Sequence, residues 1–152
     1  MRLGVVPYIN SLPLITGIDA EIVRDIPARL AANAQYNDII LAPIVAAFEE
    51  PSWILLEGVG IGSCGAVETV KLFLKSADTT PQNLKRIYCD PESKTSVALL
   101  KILLKKYWGR SLSDIEFLSV PLEEQAETTG DAFLLIGDKV WNQHARQPQL
   151  PA

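Results

Sequence analysis

The sequence predicts an α/β protein of two small lobes built on parallel sheets, and three observations lead to that class. Short apolar runs alternate with helical segments along the chain, the pattern of strands joined through helices. Twice an apolar strand runs into small polar residues that open a helix: Arg2-Leu-Gly-Val-Val-Pro-Tyr8-Ile-Asn10-Ser11, and Arg86-Ile-Tyr-Cys-Asp90-Pro-Glu-Ser93-Lys-Thr95-Ser96. Between them, Ser76 to Asn83 is polar and carries Pro81, which marks a boundary. The expected division is 1–75 for the first lobe, 76–141 for the second and 142–152 for a polar, unstructured tail.

Each element has a local reason. Leu3 to Val6 is a short apolar strand, followed by a helix over Ser11 to Ile18, where Asn10 or Ser11 can cap and Pro13 suits the first turn. Glu21 to Ile26 alternates apolar and charged residues as a half-exposed strand does. Pro27 to Gln35 is helical, with Ile26, Leu30 and Ala34 on one face; Asp38 to Ala42 is a buried strand; Pro43 starts a helix to Phe48 that Pro51 ends. Trp53 to Leu56 reads as a further strand and Val67 to Leu74 as an extended segment. Lys85 to Cys89, Ile115 to Val120 and Ala132 to Ile136 are strands. Thr95 to Trp108 is the one long amphipathic helix, with Val97, Leu100, Leu104 and Trp108 on its inner stripe. In parallel sheets ligands sit beyond the carboxyl ends of the strands, where Asn10, Ala42, Asp90 and Gly137-Asp138 fall.

Composition narrows the function classes. With 152 residues and 48% hydrophobic content the chain can bury a core. Eighteen acidic against 14 basic residues give a net charge of −4, and the basic residues are scattered apart from Lys101, Lys105 and Lys106, so nucleic acid is not the expected partner. Cys64 and Cys89 lie far apart without a C-x-x-C, and His144 is the single histidine, so neither a zinc site nor a disulfide is expected; both thiols read as free and buried. The N-terminus lacks a signal-type apolar run and no later run has the length of a membrane span, which leads to the expectation of a soluble cytoplasmic protein with no membrane association.

The two polar helix openings carry the chemistry. The first turn of a helix presents backbone N–H groups without intrahelical partners, and the macrodipole adds partial positive charge, so an anion can be held there without Lys or Arg. Two such openings facing each other across a cleft would suit a small molecule with two acidic groups. Asn, Ser and Thr are also common caps in any protein, and a single opening would be read as capping alone. Other signals do not hold. Gly60-Ile-Gly62-Ser-Cys-Gly65 matches G-x-G-x-x-G, but no helix follows it, so it reads as a glycine turn. The adjacent pairs Glu49-Glu50 and Glu123-Glu124 read as solvated faces.

Arg2-Leu-Gly-x-x-x-Tyr8-Ile-Asn10-Ser-Leu-Pro-Leu14 resembles the opening of the menaquinone-biosynthesis family of the futalosine pathway, and within it the chorismate dehydratases. Gly65-Ala-Val67-Glu-Thr69-Val70, Ser93-Lys-Thr95-Ser96-Val97-Ala-Leu-Leu100 and Leu134-Leu-Ile-Gly137-Asp138 follow in the family's order, so the resemblance spans Arg2 to about Val140. The sister branch, which acts on a cyclised futalosine derivative, opens with a different segment, and Tyr8-Ile-Asn10-Ser favours the dehydratases. The sequence departs from the pattern at Ala42-Pro43, where the family has a pair of serines, and at Ala66 and Thr69, which replace Pro and Ser. Relatives also continue past the Ile-Gly-Asp strand and return to the first lobe.

The resemblance implies a two-lobed type II periplasmic-binding-protein-like fold with the C-terminal return to the first lobe missing. It implies conversion of the dicarboxylate chorismate to 3-[(1-carboxyvinyl)oxy]benzoate and water, a carbon–oxygen lyase activity without a cofactor or metal. Asn10 and Thr69 are then the catalytic pair, and Tyr8, Ser11, Ser93, Thr95 and Ser96 bind the substrate. Asp90, Glu92 and Asp138, the acidic residues near strand ends, read as cap or turn residues. The alternatives are a non-catalytic module that holds a small aromatic acid, and an inactive truncated remnant whose exposed first lobe would pair as a homodimer.

Overall fold

The computed structural model describes residues 1–121 and 130–146. The Glu123-Glu124 pair and the tail beyond Arg146 lie outside the described residues. The chain forms two α/β units, Met1–Gly65 and Ala66–Ala152.

In the first unit, β1 (Arg2–Val5) pairs in parallel with β2 (Glu21–Arg24) on one side and with β3 (Ile39–Ile40) on the other, giving the order β2-β1-β3. Short helices link the strands: α1 (Leu12–Ile15) after a 3-10 turn at Ile9–Ser11, and α2 (Pro27–Ala32) before a second 3-10 turn at Ala34–Tyr36. A third, α3 (Ile44–Glu49), follows β3. Leu30 of α2 is buried against Gly4 of β1, where a Cβ would lie 3.0 Å from the Leu30 Cδ2, so glycine lets the helix sit down on the strand.

The second unit holds a four-stranded sheet in the order β4-β7-β5-β6. Here β5 (Arg86–Cys89) runs parallel to both β6 (Glu116–Ser119) and β7 (Ala132–Ile136), while β4 (Val70–Leu74) is antiparallel to β7. One face packs under α4 (Lys94–Lys106): Leu100 and Leu104 meet Ile87, Cys89, Ala132 and Leu134, with Val97 and Trp108 alongside, the stripe expected from the sequence. The other face gathers Phe73, Tyr88, Phe133 and Leu135 around Val140 of α5 (Asp138–Arg146). The Lys101 ammonium lies over the Phe117 ring at 4.8 Å from the centroid.

Four expectations are corrected. The chain divides after Gly65, at the glycine turn, and not after Lys75, because β4 pairs through five residues with β7 and so belongs to the second unit. The polar stretch Ser76 to Asn83 is an anchored loop and not a linker: Arg110 donates to the carbonyls of Pro81, Gln82 and Leu84, and the Asn83 side chain bridges Thr80 and Asp78. Trp53 to Leu56 forms no strand, and Ile54 is 89% exposed; among the described residues no neighbouring strand pairs with it. The expected tail is helical from Asn142 to Arg146, as part of α5. A fifth point concerns the thiols, of which Cys89 is buried but Cys64 is exposed.

Two outcomes follow from this packing. Leu104→Ala leaves a cavity under α4 and is expected to cost about 2–5 kcal/mol in urea unfolding, whereas Leu99→Ala on the 53% exposed outer face changes stability by under about 0.5 kcal/mol. Equal losses at both sites would contradict the assigned inner stripe. Burial pushes the Cys89 thiol up to about 11, with Asp90 adding to the rise and Lys101 opposing it. A thiol reagent at pH 8 should therefore titrate Cys64 alone in the folded chain and both thiols in denaturant. Because folding favours the protonated thiol, its contribution to stability is complete below the ordinary thiol range and is lost as the pH rises toward about 11.

Candidate functional site

The carboxyl edge of the second sheet collects most of the polar residues singled out from the sequence. Since β4 is antiparallel to β7, the start of β4 lies at the same edge as the ends of β5 and β7. Thr69 sits there, exposed, and its carbonyl accepts a hydrogen bond of 2.8 Å from the Gly137 N–H. Gly137 has φ +63°, a conformation that favours glycine, and it turns the chain from β7 into α5.

Beyond β5 the chain enters α4 through a tight turn. The Asp90 N–H donates to the Leu134 carbonyl at 3.0 Å, the Asp90 carbonyl accepts from the Ser93 N–H at 3.0 Å, and one Asp90 carboxylate oxygen accepts from the Glu92 N–H at 3.1 Å. Asp90 is thus a turn residue, as its place in the sequence suggests, although it is buried.

Ser93 stands at the N-cap of α4 but its hydroxyl caps nothing. The residue is 6% exposed, and among the described residues the oxygen has no hydrogen-bond partner. A cap serine ordinarily satisfies a first-turn N–H, so a buried, unengaged hydroxyl at this position costs free energy in the empty protein. Thr95 and Ser96 follow on the first turn, half-buried. Asn37 Oδ1 in the first unit is likewise buried and unpartnered, but no helix opens beside it.

The first opening is built differently. The Ser11 hydroxyl is buried and is shared between the Val6 and Tyr8 carbonyls at 2.8 and 2.7 Å, while the Ser11 N–H donates to the Tyr8 carbonyl. Its only proton is committed to the loop, so in this arrangement Ser11 has none to offer a carboxylate. The helix behind it, α1, is one turn long and brings little macrodipole. Asn10 is exposed and Tyr8 half-buried beside it, at the carboxyl end of β1. The structure therefore groups Tyr8, Asn10 and Ser11 in the first unit, and Thr69, Ser93, Thr95 and Ser96 in the second.

Sequence reasoning missed Lys139. Its ammonium lies 3.0 Å from both Asp90 carboxylate oxygens and 3.1 Å from Glu92 Oε1. Burial alone would lower the Lys139 pKa, but the hydrogen bonds its ammonium donates to Asp90 and Glu92 and their negative charges outweigh it and hold the pKa above the ordinary lysine value. The one available signal was a lysine directly after Gly137-Asp138, which is not informative without knowing that β7 neighbours β5. Among the described residues no three His, Cys, Asp or Glu side chains converge as metal ligands, and no helix is long and apolar enough to cross a membrane.

Comparison with known proteins agrees with this architecture. The alkanesulfonate-binding protein SsuA from Xanthomonas axonopodis pv. citri, solved bound to MOPS, superposes with a TM-score of 0.60 at 20% identity over 99% of this chain and 58% of its own. That likeness establishes the periplasmic-binding-protein-like α/β fold. The chorismate dehydratase of Thermus thermophilus is 30% identical over 161 residues, 98% of this chain and 55% of its own length, so the chain spans about half of that relative. The family described as menaquinone biosynthesis matches residues 1–150, which takes in both polar helix openings and the Gly137-Asp138 turn, and the chain belongs to that family.

Proposed function

We propose that the chain acts on chorismate as a dehydratase, with the opening of α4 holding one substrate carboxylate. The observation that carries this reading is the buried Ser93 hydroxyl without a partner at a helix N-terminus. An anion there would accept from the hydroxyl and from first-turn N–H groups while sitting at the positive end of a 13-residue helix. The relative at 30% identity supports chorismate as the ligand, and chorismate carries two carboxylates. Asn10, the exposed side chain of the family's opening motif, is assigned a role in turnover.

In the reaction the C–H bond at the ether-bearing ring carbon and the C–OH bond beside it break. A ring C=C forms, and proton and hydroxide leave as water. The product ring is aromatic, which supplies a strong driving force, so the enzyme's task reduces to orientation and stabilisation of developing charge. Thr69 is assigned to the departing hydroxyl. Asp90 and Glu92 are held by Lys139, so the proton is assigned to one of the substrate's own carboxylates and not to a protein base.

A module that binds a small aromatic acid without turning it over is the second reading. It is favoured by Ser11, whose hydroxyl is spent within its own loop, so that the first opening offers fewer donors than the second.

Two substitutions separate these readings. Ser93→Ala removes an unsatisfied hydroxyl and should stabilise the free protein by about 1 kcal/mol while weakening chorismate binding roughly tenfold; calorimetry and thermal unfolding measure both, and unchanged affinity would remove the α4 opening from the site. Asn10→Ala, on an exposed side chain, should leave unfolding unchanged and abolish formation of the enolpyruvyl-benzoate followed by mass spectrometry. Near-normal turnover in that variant would sink the catalytic assignment. A folded parent chain that binds chorismate without yielding product identifies the binding module.

A further inference from the structure

Lys139 faces the turn that aims α4. We infer that Lys139 is a positioning residue, whose ammonium clasps Asp90 and Glu92 and so fixes the Asp90–Ser93 turn and the first N–H groups of α4 for the substrate anion. The inference rests on the reading of the α4 opening as the carboxylate site.

Three observations carry it. First, the ammonium has three protons and three oxygen neighbours within 3.1 Å, both oxygens of Asp90 and one of Glu92, so it has no proton left with which to bind a ligand directly. Second, the clasp spans the fold: Asp90 and Glu92 follow β5, whereas Lys139 is the second residue of α5 after β7. It adds a second tie to the Asp90 N–H bond with the Leu134 carbonyl, so the loop ends of neighbouring strands move as one. Third, the Asp90 side chain is 1% exposed, and a buried carboxylate without a counter-charge must be neutralised, rehydrated or moved.

The charge balance gives the clasp a second consequence. Asp90 and Glu92 place two negative charges in the turn that leads directly to Ser93, and Lys139 cancels one of them. Without it, the Asp90 carboxylate would compete for the same first-turn N–H groups that the substrate carboxylate uses, and would repel that carboxylate. Lys139 thus acts through Asp90 on geometry and charge together, at a distance from the reacting atoms.

The test uses the full chain and the variants Lys139→Met, Lys139→Arg and the double variant Lys139→Met with Asp90→Asn. Amide hydrogen exchange reads the turn without reference to any substrate. Lys139→Met should accelerate exchange over residues 92–97 while leaving the core strands β5 and β7 unchanged, and Lys139→Arg should restore most of the protection. Calorimetry with chorismate reads the site: Lys139→Met should weaken binding on the order of tenfold to a hundredfold, the scale of a misplaced anchor. The double variant, which removes the unbalanced charge but keeps the Asp90 shape, should recover most of that loss.

Unchanged exchange at 92–97 in Lys139→Met overturns the clasp. Faster exchange with unchanged chorismate affinity, or failure of Asp90→Asn to rescue, overturns its role in positioning the anion site. If the parent chain binds no chorismate, the assignment of the site has failed, and the exchange data still decide whether Lys139 fixes the turn.

Discussion

The arrangement of the second unit depends on β7 being buried between two partners. Ala132, Phe133, Leu134 and Leu135 are all buried, and such a strand has to satisfy its hydrogen-bonding groups on both edges and its side chains on both faces. β4 closes one edge in antiparallel register and β5 the other in parallel register. Ala132 and Leu134 point into the cluster under α4, while Phe133 and Leu135 point to the cluster around Val140. Every polar feature at the carboxyl edge then inherits its position from that strand. Gly137 turns at its end toward Thr69, Lys139 follows one residue into α5, and Leu134 accepts the Asp90 N–H that starts the turn into α4. At the opposite edge Asp131 performs the matching task, its carboxylate accepting from the Lys85 and Arg86 N–H groups at 2.7 and 2.8 Å.

The two helix openings, alike in sequence, differ in what their serines do. In Asn10-Ser11 the hydroxyl turns inward and satisfies the carbonyls of a tight loop, stabilising the loop at the expense of donor capacity. In Ser93 the neighbouring N–H groups of the turn are already served by Asp90, and the hydroxyl is left buried and idle. A protein tolerates an unsatisfied buried hydroxyl only at a free-energy cost, and such costs concentrate where binding later offsets them. The contrast is the ground for proposing the anion site at the opening of α4 and not at Asn10-Ser11.

Much of this was legible in the chain itself. The strands at Leu3, Lys85, Ile115 and Ala132 and the inner stripe of α4 came from local apolar period, which buried strands and amphipathic helices must show. The placement of Ser93, Thr95 and Ser96 at a helix start came from cap chemistry. What was not legible depends on pairing between distant residues. Nothing near Val70 says that β4 pairs with a strand some sixty residues later, so the boundary was expected after it and not at Gly65. The polar stretch around Pro81 resembles a linker because the arginine that pins it lies at position 110. Trp53 to Leu56 has strand-forming residues but no strand partner among the described residues, and strand formation is decided by the partner. Lys139 could not be weighed at all without the adjacency of β5 and β7.

The distribution of packing bears on how the site works. The clusters on both faces of the second sheet give α4 and the turn before it a frame in which local opening is costly. In the first unit the strands are short, β3 contributing two residues, and Ile9, Phe48, Ile54 and Leu55 stay exposed. Low local stability is where binding-linked motion is found, because ordering such a segment against a ligand needs little to be broken first. On the proposed reading, a carboxylate held at the opening of α4 meets a frame already ordered by those two clusters, so little ordering cost falls on that anchor.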